Sequence, residues 1–135
     1  MPAEDRYHYT VKRALIKDGW RITREQVRIS FEDKKLWVDM QAERADAQQI
    51  ILIEVKELDD VSSPIEALAN ALGKYLLYRM GLRNAESSIP LYMAITEAAY
   101  NGIMQSSIGQ QAIQEFNLFL LIFDPNQEKV TRWIH

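Results

Sequence analysis

Asp39, Glu54 and Lys56 are the residues whose types and spacing point to chemistry, in the pattern D-x14-E-x-K. Side chains on a strand alternate between faces. In the run Ile50–Lys56, Ile51, Ile53 and Val55 therefore share one face, and Ile50, Leu52, Glu54 and Lys56 share the other. Ionisable groups in such an apolar run are costly to bury unless something compensates them. Asp39 sits near the end of the preceding alternating segment and can stand beside Glu54 on a neighbouring strand. Two carboxylates brought together repel unless a cation joins them. Mg²⁺ or Mn²⁺ suits such a pair, completing its shell with waters and substrate phosphate oxygens. The Val55 carbonyl offers one further oxygen. Lys56 is spaced to orient an attacking water or to stabilise charge on a phosphate. The same three residues also fit a plainer arrangement, a same-face Glu54–Lys56 ion pair beside a solvated Asp39.

Three further residues are candidates for contact with a substrate. Asp5, His8 and Lys12 fall on one helix face at three- and four-residue spacing. Glu43 lies in a polar loop that can approach a cation. Lys74, one helical turn before Tyr78, can meet a phosphate. There is no P-loop, dinucleotide-binding glycine motif, H-E-x-x-H zinc motif or nucleophile elbow. The absence of cysteine excludes thiolate metal sites and cysteine nucleophiles.

These residues need a scaffold, and the pattern supplies one. Apolar spacing predicts a helix over 3–18, with Pro2, Glu4 and Asp5 at its start and Gly19 at its end. Strands are expected over 20–30, 36–40 and 50–56, with Leu36, Val38 and Met40 on one face and 43–49 as a loop. Ser63-Pro64-Ile65-Glu66 matches a capping box and opens a helix ending at Gly81. A strand over 89–95 follows. Thr96 caps a helix running towards Phe116, which Gly102 and Gly109 weaken or divide. Two last strands, 118–123 and 129–134, flank an Asp124-Pro125-Asn126 turn. The order α-β-β-β-α-β-α-β-β implies an α/β fold, a mixed β-sheet flanked by helices, in a single domain over 1–135.

The 135 residues carry a net charge of −3. Residues 1–56 hold 11 Lys/Arg against 10 Asp/Glu, and residues 57–135 hold 5 against 9. Neither part is basic enough to grip DNA by phosphate neutralisation alone. A nucleic-acid role therefore calls for a metal, a local basic patch, a homodimer or a partner protein, with weak DNA binding by the lone chain. The apolar runs are too short to span a bilayer, and the N-terminal residues lack the apolar stretch of a signal peptide. A cytoplasmic location is expected.

The chain resembles the XisH family, the fdxN element excision controlling factors of cyanobacteria. The resemblance runs through Asp5, Tyr7, His8, Val11 and Lys12, and through Lys17-Asp18-Gly19-Trp20. It continues through Val38-Asp39, Ala42-Glu43-Arg44, Ile53-Glu54-Val55-Lys56 and Gly73-Lys74-Tyr75 to Phe123-Asp124 and Trp133. It implies control of programmed excision of a DNA element, alongside a site-specific recombinase and a small XisI-like companion. It also implies kinship with restriction-endonuclease-like nucleases of the PD-(D/E)XK type, whose motif maps onto Asp39, Glu54 and Lys56. Val38 stands in the place of the motif's proline. Lys74 stands where related nucleases carry glutamine in a Q-x-x-x-Y pattern ending at Tyr78, and Arg24-Glu25-Gln26 where an H-D-P-like turn is expected.

Overall fold

The computed structural model describes residues 6–135. Helix α1 spans His8–Lys17, so the expected start near residue 3, with Pro2, Glu4 and Asp5, lies outside the described residues. Gly19 follows it at φ +92°, a backbone conformation that favours glycine. Strands β1 (Arg21–Phe31) and β2 (Lys34–Arg44) form a long hairpin, and β3 (Gln49–Val55) returns beside β2. Helix α2 (Pro64–Asn84) crosses to β4 (Leu91–Thr96). Helices α3 (Glu97–Asn101) and α4 (Ser107–Phe116) cross to β5 (Leu120–Asp124), and β6 (Lys129–Ile134) closes the chain.

The sheet order is β1-β2-β3-β4-β5-β6. Its centre, β3-β4-β5, is parallel; the β1–β2–β3 meander and β6 are antiparallel to their neighbours. Parallel strands are normally covered on both faces, and this centre is. One face packs Leu52, Met93, Ile95, Leu120 and Ile122 beneath α2 and α4. The other packs Ile51, Ile53, Val55, Leu121 and Phe123 beneath α1.

Several boundaries differ from the expected ones for physical reasons. Strand β2 reaches Arg44 because polar Gln41 and Glu43 still pair with β1 and β3 on either side. The expected loop shrinks to a short 3-10 turn over Ala45–Ala47. Helix α2 does not end at Gly81. A Cβ there would come within 3.1 Å of Leu36 and 3.2 Å of Ile29, so this glycine lets the hairpin pack closely against the helix. The helix after Thr96 is divided, with a 3-10 turn at Ile103–Gln105 between α3 and α4. The two expected caps at Ser63 and Thr96 form, and Ser106 adds a third at the start of α4. Ser63, Thr96 and Ser106 side chains accept from the Glu66, Ala99 and Gly109 N–H groups.

The hairpin also changes sides. Val27, Ile29 and Val38 pack beneath α2, whereas Met40 and Ala42 pack beneath α1. Leu36, Val38 and Met40 therefore do not share one face, as strict alternation would require. The reversal in β1 falls at Gln26, whose φ of +52° lies in the left-handed region. In β2 it falls at Asp39.

Candidate functional site

The pairing of β2 with β3 ends at Met40 opposite Ile53. One step further the strands part, and side chains replace the backbone ladder. The Val55 N–H donates to Asp39 Oδ2 at 2.7 Å. The Asp39 N–H donates to Glu54 Oε1 at 3.1 Å. Each carboxylate is thus fixed by the backbone of the opposite strand. Pairing of β3 with β4 continues past this point, with the Lys56 N–H on the Ala94 carbonyl at 3.0 Å, so β3 is held while β2 turns away.

Both acids are buried, Glu54 at 4% and Asp39 at 9% exposure. Lys56 Nζ lies 3.2 Å from Glu54 Oε2. Burial pushes the Glu54 carboxyl up to about 8, the nearby Asp39 charge adds to the rise, and Lys56 offsets only part of it. Asp39, Glu54 and Lys56 are therefore brought together, as their spacing predicts. Once Glu54 is ionised, one ammonium does not neutralise two buried carboxylates, and a divalent cation would supply the missing charge. Asp39, Glu54 and the Val55 carbonyl are the oxygens that would hold it, with water and phosphate completing the shell. Among the described residues no group of three or more His, Cys, Asp or Glu side chains is arranged as a metal cage.

Two neighbours extend the site. His8 is fully buried; its Nε2 lies 3.0 Å from Glu25 Oε1, and its Nδ1 lies 3.9 Å from Asp39 Oδ1. Lys12 Nζ meets Glu25 Oε2 at 2.8 Å. Hydrogen bonds from His8 and then Lys12 hold the Glu25 carboxyl below its ordinary value. His8 therefore stands behind Asp39, tied to a carboxylate on β1. Sequence reasoning missed Glu25 and placed Asp5 on the His8–Lys12 face instead. Tyr78 comes from α2. Burial pushes its hydroxyl up to about 12, with the Glu54 and then the Asp39 charges contributing.

The other two candidates lie apart. Glu43 is a strand residue, opposite Ile50 and Arg21 rather than in a loop, and roughly 13 Å along β2 from Asp39 at strand rise. Lys74 is exposed on α2 and forms no hydrogen bond or ion pair among the described residues. It precedes Tyr78 by one turn.

Fold and site together define a mixed α/β protein with a buried acidic pair and a lysine where two strands of its sheet separate. The XisH family model, described as XisH protein, matches residues 1–131; the chain belongs to the XisH family. It is similar to the crystal structure of an XisH family protein from Nostoc punctiforme PCC 73102, with 35% identity and a TM-score of 0.89. That match covers 97% of this chain and 100% of the other. It is also similar to a fdxN element excision controlling factor protein from Anabaena variabilis. There the identity is 36% and the TM-score 0.88, over 96% of this chain and 98% of the other. No curated protein matches the chain. Among the described residues no helix is long and apolar enough to cross a membrane.

Proposed function

We propose that this chain is a Mg²⁺- or Mn²⁺-dependent endonuclease-like factor that acts on DNA phosphodiesters in the control of programmed DNA excision. The observation that carries the reading is the reciprocal clasp of Asp39 and Glu54, with Lys56 against Glu54. Asp39 and Glu54 hold the cation, which when bound supplies charge stabilisation to the phosphate and acidifies water. The Val55 N–H fixes the direction of the Asp39 carboxylate, and His8 buttresses it from α1. Lys56 serves the reacting phosphate, orienting water or meeting the charge that develops on oxygen. Lys74 contacts the DNA backbone from α2. The relative from Anabaena variabilis, an excision controlling factor, supports placing this activity in excision.

A net charge of −3 limits counterion release, so the lone chain binds DNA weakly and gains affinity from a second copy, an XisI-like companion or the recombinase. The acidic balance of residues 57–135 favours a second reading, a non-catalytic regulatory subunit that acts through those partners. A supercoiled-plasmid nicking assay with Mg²⁺ or Mn²⁺ separates the two. The enzyme reading expects metal-dependent nicking by the native chain and none by Asp39→Asn. Equal nicking by both, or none by either, overturns it.

A further inference from the structure

Helix α2 is apolar on two sides. Its inner side, Leu68, Ala71, Tyr75, Tyr78 and Leu82, lies in the core. Its outer side carries Ile65, Ala69, Gly73, Leu76, Leu77 and Met80. Ile65, Leu77 and Met80 are 44%, 51% and 40% exposed. The band continues onto α4 at exposed Ile108 and Phe116, across a groove of about 470 Å³ between the two helices. Clustered exposed apolar residues mark an interaction surface.

The distribution of residues along this band says what covers it. The small residues, Ala69 and Gly73, lie in the first half of α2; a Cβ at Gly73 would meet nothing within 4 Å. Leu76, Leu77 and Met80 crowd the second half, while Ile65 stands alone at the start. Exposed Glu66 stands at the start and exposed Arg83 at the end, and neither joins an ion pair among the described residues. The face is therefore complementary to its own reverse. In one antiparallel register Ala69 meets the partner's Met80, Gly73 meets the partner's Leu76, and Glu66 meets the partner's Arg83. A two-fold axis requires this kind of self-complementarity, and the antiparallel helix dipoles favour it as well.

We infer that the outer face of α2, with the edge of α4, is the interface of a two-fold homodimer. The patch is roughly 30 Å long and smaller than a standard interface, so the dimer is weak and forms in the micromolar range. The inference is independent of the proposed activity, because none of these residues belongs to the carboxylate site.

Sedimentation velocity of the full chain over a micromolar-to-millimolar dilution series tests it. The native chain should shift reversibly from monomer to dimer. Met80→Glu and Leu77→Lys should each leave a folded monomer, judged by far-ultraviolet circular dichroism. Two substitutions at exposed positions guard against one of them misfolding. Glu66→Arg and Arg83→Glu should each weaken the dimer roughly fivefold, since each breaks two symmetry-related pairs. The double exchange should restore it. A chain that stays monomeric throughout overturns the inference, as does a dimer indifferent to Met80→Glu. A double exchange no tighter than the single variants removes the antiparallel register. A stable complex with a different protein that occupies this face and excludes self-association would also overturn it.

Discussion

Asp39 gives its backbone N–H to the Glu54 carboxylate at 3.1 Å, one step beyond the last paired rung of β2 and β3. The bond ties a buried acid to a neighbouring backbone without neutralising it. The carboxyl group answers by holding its proton, up to about pH 8.

That proton sets a pH dependence of stability. The folded value lies above the ordinary 4.5, so the folded chain binds more protons than the unfolded one between pH 4.5 and about 8. The stabilisation is complete below that window and is lost as pH rises through it. Glu54→Gln removes the titration. We expect the native Tm to fall from pH 5 to pH 8 relative to that of Glu54→Gln, by the equivalent of a few kcal/mol, on the order of the shift converted at about 1.4 kcal/mol per unit. Parallel thermal melts check it; identical pH profiles contradict it.

A cation should reverse the effect. Mg²⁺ or Mn²⁺ binds the ionised form, so it should raise the native Tm more at pH 8 than at pH 5 and release protons on binding near neutrality. Calorimetry in buffers of different ionisation enthalpy reads the proton release. Chelator should return the melt to its metal-free value, and Asp39→Asn should show no metal-dependent rise.

Lys56→Ala separates chemistry from architecture. If Lys56 serves the phosphate, the variant keeps a metal-induced rise in Tm while nicking falls by a hundredfold or more, in the usual range of about 10²–10³ for lost electrostatic stabilisation. If Glu54 and Lys56 are only a structural pair, the loss appears instead as about 3–5 kcal/mol of stability, with no response to metal. Denaturant titration run beside the nicking assay distinguishes them.

Tyr75 holds the parallel strands together at the end away from the site. Its buried hydroxyl donates to the Leu91 carbonyl at 2.9 Å and accepts from the Phe119 N–H at 3.2 Å. Tyr75→Phe should cost about 1–3 kcal/mol by leaving both groups unsatisfied. Urea unfolding should show a lower midpoint with an unchanged slope.

Gly109 should tolerate no side chain. A Cβ there would be driven into the Ile103 carbonyl and the Met104 backbone, neither of which can swing aside. Gly109→Ala should destabilise by more than about 2 kcal/mol, whereas Gly73→Ala should not destabilise the monomer.

The elements most legible in the sequence are those fixed locally. The alternation in β3 places Ile51, Ile53 and Val55 against α1 and Glu54 on the opposite face, and the Ser63 and Thr96 caps form where their spacing puts them. The meeting of Asp39, Glu54 and Lys56 was legible because charge in an apolar strand demands compensation. The change of side in the hairpin was not. It depends on a left-handed Gln26, a non-glycine in a run that otherwise reads as a strand. Glu25 escaped for a related reason. Its partners, His8 and Lys12, reach it only because the first half of β1 faces α1. Gly81 is likewise a glycine needed by a neighbouring strand, which local reading takes for a helix end.

The outermost strands carry a further consequence. β1 exposes Arg21, Arg24 and Arg28 and is bent at Gln26, and β6 exposes Lys129 and Arg132. Open strand rims invite unwanted growth of a sheet by added chains, and cationic side chains with local bends are a recognised deterrent. Both rims here repel their own kind. The molecule is thereby protected from fibril-like stacking at high concentration, and its sheet is closed to self-recruitment.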